Sequence, residues 1–203
     1  MIKRARTRSK MLLSQAEEKV SLRKRLAEKR KSLSDAEKTE RSERLCKNLC
    51  SLDEFRKADV VMSFWPLPNE TDVRLLNTEA LRLGKTLVLP RCVKGTREMN
   101  FYVVNSFDDL EKGYFSIYEP KAECPLFVPS DSLRTVCIVP AMAYDKEGYR
   151  IGYGGGFYDT YLSRYKIYTV GAVYHDFIVE KLPRDEYDSK VDTVVTDEGT
   201  VDM

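Results

Sequence analysis

The chain has 203 residues, 42% hydrophobic and 33% charged, enough for a single domain that buries a continuous core without disulfide or metal staples. No apolar run approaches the roughly 20 residues of a membrane-spanning helix, and the basic start MIKRARTRSKMLL lacks the apolar core and cleavage site of a secretory signal, so a cytoplasmic, membrane-free protein is expected. The net charge of +2 conceals an asymmetry: residues 1–31 carry twelve Lys or Arg against three Glu, which suggests an anionic partner, either a nucleic acid or a polyphosphate.

Residues 1–14 read as an unstructured arm, leaving 15–203 as one α/β domain. Ser14-Gln-Ala-Glu17 has the form of a capping box and predicts a helix from there to about Lys31. Val20, Leu22 and Leu26 are its only sizeable apolar residues, so this helix is expected to lie on the surface. Ser34-Asp-Ala-Glu37 repeats the capping signature and opens a second helix with Leu45, Leu49 and Leu52 on its buried face.

Asp59 to Trp65 is short, apolar and rich in β-branched and aromatic residues, and reads as the first buried strand. The loop Pro66 to Asp72 follows, then a helix over Val73 to Leu83 with Gly84 as its stop, then a strand over Thr86 to Pro90. Strand, helix, strand in that order predicts parallel pairing, with ligand loops at the carboxyl ends of the strands, where Trp65, Glu70 and Arg91 fall. Met99 to Val104 alternates as a strand, and Phe107 to Tyr118 reads as a loop with room for a helical turn. Pro120 to Ser132, with three prolines, is a surface excursion of the same domain. Arg134 to Pro140 is the expected central strand, followed by a turn at Asp145 to Gly148. A helix over Phe157 to Arg164 and strands over Tyr168 to Tyr174 and Val191 to Thr196 complete the chain.

The most informative stretch is Arg150-Ile-Gly-Tyr-Gly-Gly-Gly-Phe-Tyr-Asp159. Four glycines in five positions leave backbone amides without side-chain cover, between a guanidinium and a carboxylate able to hold a magnesium ion, ahead of a helix start; together these describe a phosphate cradle. The Gly-Lys-Ser/Thr ending of a Walker A loop is absent, and Gly152, Gly154 and Gly156 are spaced more tightly than in the dinucleotide fingerprint. Glycine content alone also fits a tight structural turn. Trp65 with Glu70 suits a flat heterocycle bearing N–H donors, since a ring stacks on the indole and a carboxylate accepts from N–H groups. Trp65 equally fits a core position, Glu70 a helix terminus, and Lys19 with Arg23 a solvated face. Cys46, Cys50, Cys92, Cys124 and Cys137 are odd in number and unpaired in spacing, and His175 is the only histidine; neither a zinc site nor a disulfide frame is expected.

Taken together, Lys19-x-x-x-Arg23 with Arg30-x-x-Leu-Ser34, Glu70-Thr-Asp72, Leu89-Pro-Arg91, Glu119-Pro120, Val139-Pro140 with Ala143-Tyr-Asp145, the glycine segment, and the C-terminal Leu182-Pro183, Asp188 and Val191-Asp192 resemble the 5-formyltetrahydrofolate cyclo-ligase family over Lys19 to Thr196. The resemblance implies an ATP- and Mg2+-dependent enzyme that makes 5,10-methenyltetrahydrofolate from 5-formyltetrahydrofolate, working as a monomer on a reduced folate without nucleic acid. It implies a three-layer α/β/α sandwich with a mostly parallel sheet, similar to the ribose-phosphate isomerase and CoA-transferase group. It places Lys19, Arg23, Arg150, Gly152, Gly154, Gly155, Gly156, Phe157 and Tyr158 on ATP and Asp159 and Asp192 on the metal. Trp65, Glu70 and Tyr153 fall on the folate, with Arg150 and Tyr153 catalytic. Ser116 stands where the family often has Gly, Tyr187 where a His is common, and the usual Gln near Ile178 is missing. Two rival readings predict different behaviour: an ATP-dependent kinase or ligase with another small substrate would share the loop but not the pocket, and a nucleic-acid module would leave the glycine loop without a purpose.

Overall fold

Strands with no polar face belong in the middle of a sheet, and Thr135–Pro140 (β7) is found there. In the computed structural model the described residues are 2–68, 70–113, 117–185 and 188–203, with side chains from residue 15 onward. Ser116 and Tyr187 fall outside what is described, and the expected unstructured arm over 1–14 lies, from Ile2 onward, in the first helix. The other strands of the main sheet are β1 (Val60–Met62), β2 (Thr86–Cys92), β3 (Met99–Val104), β6 (Leu126–Phe127), β10 (Tyr168–Ala172), β12 (Thr193–Thr196) and β13 (Gly199–Thr200). Their order is β13-β12-β10-β7-β1-β2-β3-β6. The run from β12 to β2 is parallel, and β13, β3 and β6 close the edges in antiparallel register.

Alternation along each central strand divides the core in two. Val61, Val136, Ile138, Val170 and Val195 face helices α2 (Asp35–Ser51), α3 (Asp53–Lys57) and α4 (Arg74–Arg82), whose Leu45, Leu49, Phe55, Leu76 and Ala80 fill that side. Val60, Met62, Cys137, Val139 and Val194 face the opposite layer. That layer contains α5 (Phe157–Leu162), the carboxyl-terminal half of α1 (Ile2–Lys31) and a small sheet of β11 (Ile178–Val179), β8 (Ala143–Asp145) and β9 (Arg150–Ile151). The architecture therefore has three layers around a mostly parallel sheet, as expected, but its second outer layer is mixed. No described helix is long and apolar enough to cross a membrane.

Local signals mostly give the elements their ends. Ser34 and Glu37 form the predicted box, with the Glu37 amide donating to Ser34 Oγ at 3.2 Å and the Ser34 amide to Glu37 Oε2 at 2.8 Å. Gly84 follows α4 at φ +71°. The helix α1 spans Ile2–Lys31 and so passes through Ser14, where the sequence predicts its start. The segment read as a loop over Phe107 to Tyr118 contains most of a hairpin, β4 (Leu110–Lys112) with β5 (Tyr118–Pro120), and β6 adds an edge strand within the proline-rich excursion. These strands are two or three residues long, too short for an alternation to register.

Candidate active site

The glycine stretch leaves β9, the second strand of a hairpin in which Ala143 pairs with Ile151 and Tyr144 with Arg150. Past that point the chain turns through Gly154 at φ +100° and Gly156 at φ +70°, conformations costly for any residue with a Cβ. Gly155 has a different reason to be bare, since a Cβ there would lie 2.7 Å from the Phe157 ring. Among the described residues no protein acceptor takes the amides of Gly152 through Tyr158. They form a row of open donors of the kind an anion takes, and because α5 is only six residues long these amides, more than a helix end, would supply such a cradle. Phe157 and Tyr158 lie beneath the loop and pack against the core; the buried Tyr158 hydroxyl finds no partner among the described residues, and burial pushes its pKa far above the phenol range.

Arg150 sits under the cradle, not on it. Its side chain is 5% exposed; Nη2 donates to Asp159 Oδ1 at 2.5 Å and Nη1 to the Ser189 carbonyl at 3.2 Å. Burial raises the Asp159 pKa, against the opposing pull of Arg150, while the carboxylates of Asp188 and Asp185 raise it further. Asp192, the other expected metal ligand, directs Oδ2 to the Thr169 amide at 2.8 Å and hydroxyl at 2.7 Å. Asp159 thus feels the charges of Asp188 and Asp185, which were not assigned to the metal from sequence, while Asp192 is engaged with Thr169.

Helix α1 crosses the loop with residues four apart on one side, as helical spacing requires. Lys19 donates to Asp188 at 2.6 Å and Asp185 at 2.9 Å. Burial works against its charge, but the two carboxylates outweigh it and hold the pKa above the usual lysine value. One turn on, Arg23 Nε donates to the Gly152 carbonyl at 2.8 Å, with its guanidinium against Gly154. The expected ATP contacts Arg23 and the glycines are therefore together, whereas Lys19 is held by Asp185 and Asp188.

At the carboxyl ends of β1 and β10 a cleft of about 440 Å3 opens between the Trp65–Asp72 loop, the first half of α2, Tyr118 and Tyr174. Trp65 forms one wall, edge-on to Phe107 with centroids 5.1 Å apart and tilted to Tyr118 at 6.0 Å. Glu70 accepts from the Leu67 amide at 2.9 Å. Burial lifts its pKa, and the Arg30 charge draws it back part of the way. Tyr153 reaches from the glycine loop toward the same place, and its hydroxyl, pushed up to about 12 by burial, interacts with Arg30 and Glu70. Trp65 and Glu70 thus line the cleft, while Tyr153, half-exposed on the glycine loop, is near enough for its hydroxyl to feel the Glu70 charge. Arg30 and Tyr174 were not assigned to the site from sequence; Arg30 follows Leu26 by four residues on the buried face of α1, which is the signal that would have marked it.

Known proteins resemble this chain in both sequence and structure. A sequence model described as the 5-formyltetrahydrofolate cyclo-ligase family matches residues 15–197. The NMR structure of a 5,10-methenyltetrahydrofolate synthetase from Aquifex aeolicus is 40% identical and superposes with a TM-score of 0.79, covering 90% of this chain and 91% of that one. The 5-formyltetrahydrofolate cyclo-ligase of Escherichia coli is 29% identical over 84% of this chain and 96% of its own length. The mouse enzyme of the same name is 26% identical over 89% and 94%. With nearly the whole described domain under one family description, the chain belongs to the 5-formyltetrahydrofolate cyclo-ligase family.

Proposed function

We propose that the protein converts 5-formyltetrahydrofolate to 5,10-methenyltetrahydrofolate, consuming ATP and releasing ADP and phosphate. The observations that carry this reading, beside family membership, are a loop of open amides and a cleft holding Trp65 and Glu70, with Tyr153 of the loop within electrostatic reach of Glu70. One end suits a polyphosphate and the other a flat heterocycle with N–H donors.

The chemistry accounts for both ends. A formamide oxygen is a poor leaving group, so the nitrogen at position 10 does not close the ring by expelling it unaided. Transfer of the γ-phosphoryl group to that oxygen releases ADP and leaves a carbon open to attack. The nitrogen then bonds to this carbon and loses its proton, and the C–O bond breaks with departure of phosphate. Such transfers depend on positioning and on neutralising the charge of the moving group. The amides of Gly152 to Gly156 and the Arg23 guanidinium supply the neutralising donors, with Lys19 recruited from its carboxylates. Arg150 holds Asp159 in place beneath them. Glu70 accepts from the pterin ring and Trp65 stacks on it.

Magnesium carried on a triphosphate needs only one or two protein carboxylates. Asp159, with a third of its side chain exposed and Asp188 beside it, fits that need, and Asp192 keeps Oδ1 outside its Thr169 bonds among the described residues. When bound, the ion would add positive charge beside the transferring phosphoryl oxygens. The five cysteines, all free, suit a reducing cytoplasm, and residues 15–203 serve as one catalytic unit, in this reading a monomer. Mixing the purified protein with 5-formyltetrahydrofolate, ATP and magnesium tests the proposal: the ultraviolet band of the methenyl product grows only when all three are present. Turnover of a different heterocycle in preference to the folate would favour the general kinase or ligase reading instead.

A further inference from the structure

The cleft beside Trp65 carries two cations on its lining, Lys38 and Arg74, and the chemistry above uses neither. Arg74 is fully engaged: its Nε donates to both Asp72 oxygens, at 3.0 and 2.9 Å, and its Nη2 to Oδ2. Lys38 is held far more loosely. Among the described residues its ammonium has one partner, Asp35 Oδ1 at 3.4 Å, and the Asp35 side chain is fully exposed. A pair of that length open to water contributes little and yields to a better acceptor. The backbone beneath it is fixed, by contrast. The Lys38 carbonyl accepts from the Tyr174 hydroxyl at 3.2 Å, and the same hydroxyl bonds Ser42 Oγ, one turn further along α2, at 2.7 Å. Tyr174, Ser42 and Lys38 all line the cleft, so the lysine stem starts from a braced wall and only its tip is loosely held. Of the other carboxylates on that lining, Glu70 accepts from the Leu67 amide and Asp72 holds Arg74, which leaves Lys38 as the cation with charge to offer.

We propose that Lys38 binds the carboxylates at the glutamyl end of the folate and is the specificity-determining contact on the α2 wall of the cleft. A folate is a heterocycle joined through an aminobenzoyl ring to a glutamate, which carries two carboxylates. A cleft that seats only the heterocycle, on Trp65 and Glu70, leaves those anions without a partner, and the ammonium on the α2 wall of the same cleft supplies one. The incoming carboxylate replaces Asp35, whose own carboxylate already stands in water. An ammonium suits such an end group, because it is a point charge on a flexible stem and accepts approach from more than one direction. The inference rests on the cyclo-ligase reading of the site.

Ligand binding to the wild-type protein, Lys38→Gln and Arg74→Gln tests it, read by quenching of Trp65, the single tryptophan of the chain and itself part of the cleft lining. Two ligands are compared: 5-formyltetrahydrofolate, and the same compound with methylamine in place of its glutamate, which removes both carboxylates and keeps the rest. The wild-type protein is expected to bind the folate about tenfold or more tighter than the methylamide. Lys38→Gln should reduce that preference to within about threefold while binding the methylamide as the wild type does, and Arg74→Gln should keep the preference. The KM of each ligand in methenyl formation should show the same ratios, with the KM for ATP unchanged. Equal affinity of the wild-type protein for the two ligands would overturn the proposal, and that comparison needs no variant to fold. A Lys38→Gln protein, folded by circular dichroism, that retains the preference or weakens both ligands alike would overturn it too, as would a preference lost only in Arg74→Gln. Absence of methenyl product with the wild-type protein would overturn the cyclo-ligase reading and this inference with it, whereas turnover without any preference for the folate overturns this inference alone.

Discussion

Glu70 carries two demands that conflict. As a pterin acceptor it must be ionised, yet burial raises its pKa, so folding favours the protonated form. The stability it contributes is complete below the pKa of the unfolded chain and is lost as pH rises through the raised folded value. Glu70→Gln should therefore melt at a higher temperature than wild type at pH 7, with the gap narrowing toward pH 4, while its folate KM rises; a gap that does not change with pH would contradict this. Arg150 makes the complementary case, since its value lies in the Asp159 and Ser189 contacts beneath the loop. Arg150→Ala should lower turnover by more than about tenfold with near-ultraviolet circular dichroism unchanged. Residue types at the site were legible in the sequence wherever spacing exposed them, as with Lys19 and Arg23 one turn apart. Arg30 was visible in a family pattern and in its place four residues after Leu26, but neither signal states that its guanidinium turns in to the Ala141 and Met142 carbonyls. The pairing of Asp188 with Lys19 was hidden for a related reason: Asp188 and Asp192 are close in sequence, and the turn that sends one to Lys19 and the other to Thr169 leaves no periodic trace.

Among the elements, the glycine loop is the one whose shape the sequence announced most clearly, and its conformation explains why. Gly154 at φ +100° lies outside what a Cβ tolerates, and the Arg23 guanidinium covers it. Gly154→Ala should weaken ATP binding by about tenfold or more in calorimetry while leaving folate binding within a few-fold, because the strain falls on the cradle and not on the cleft. Equal losses for both ligands would mean that the loop serves the fold alone. Strands such as β3, found over the predicted residues, were equally legible because alternation persisted over six positions. The small sheet of β11, β8 and β9 was not, as its strands are two or three residues long and set by pairing partners distant in sequence.

For the molecule as a whole, the decisive contact is where that small sheet meets the large one. Tyr144, fully buried in β8, donates to the Val139 carbonyl at 2.8 Å and lies over Gly171 of β10, where an added Cβ would come within 2.5 Å of its ring. Gly171→Ala should cost about 1–3 kcal/mol, seen as a lower urea midpoint with unchanged slope. A stability equal to wild type would show that the two sheets slide freely past each other. Their fixed seating sets where the loop after β9 leaves the small sheet, and the proposed function puts the phosphate on that loop and the heterocycle in the Trp65 cleft. The claim that follows is that the formyl oxygen receives the phosphoryl group there. The most direct measurement uses 5-formyltetrahydrofolate carrying a heavy oxygen isotope in its formyl group and follows the label by phosphorus NMR during turnover. The account predicts one labelled inorganic phosphate for each methenyl product; unlabelled phosphate, or product formed without loss of ATP, would contradict it.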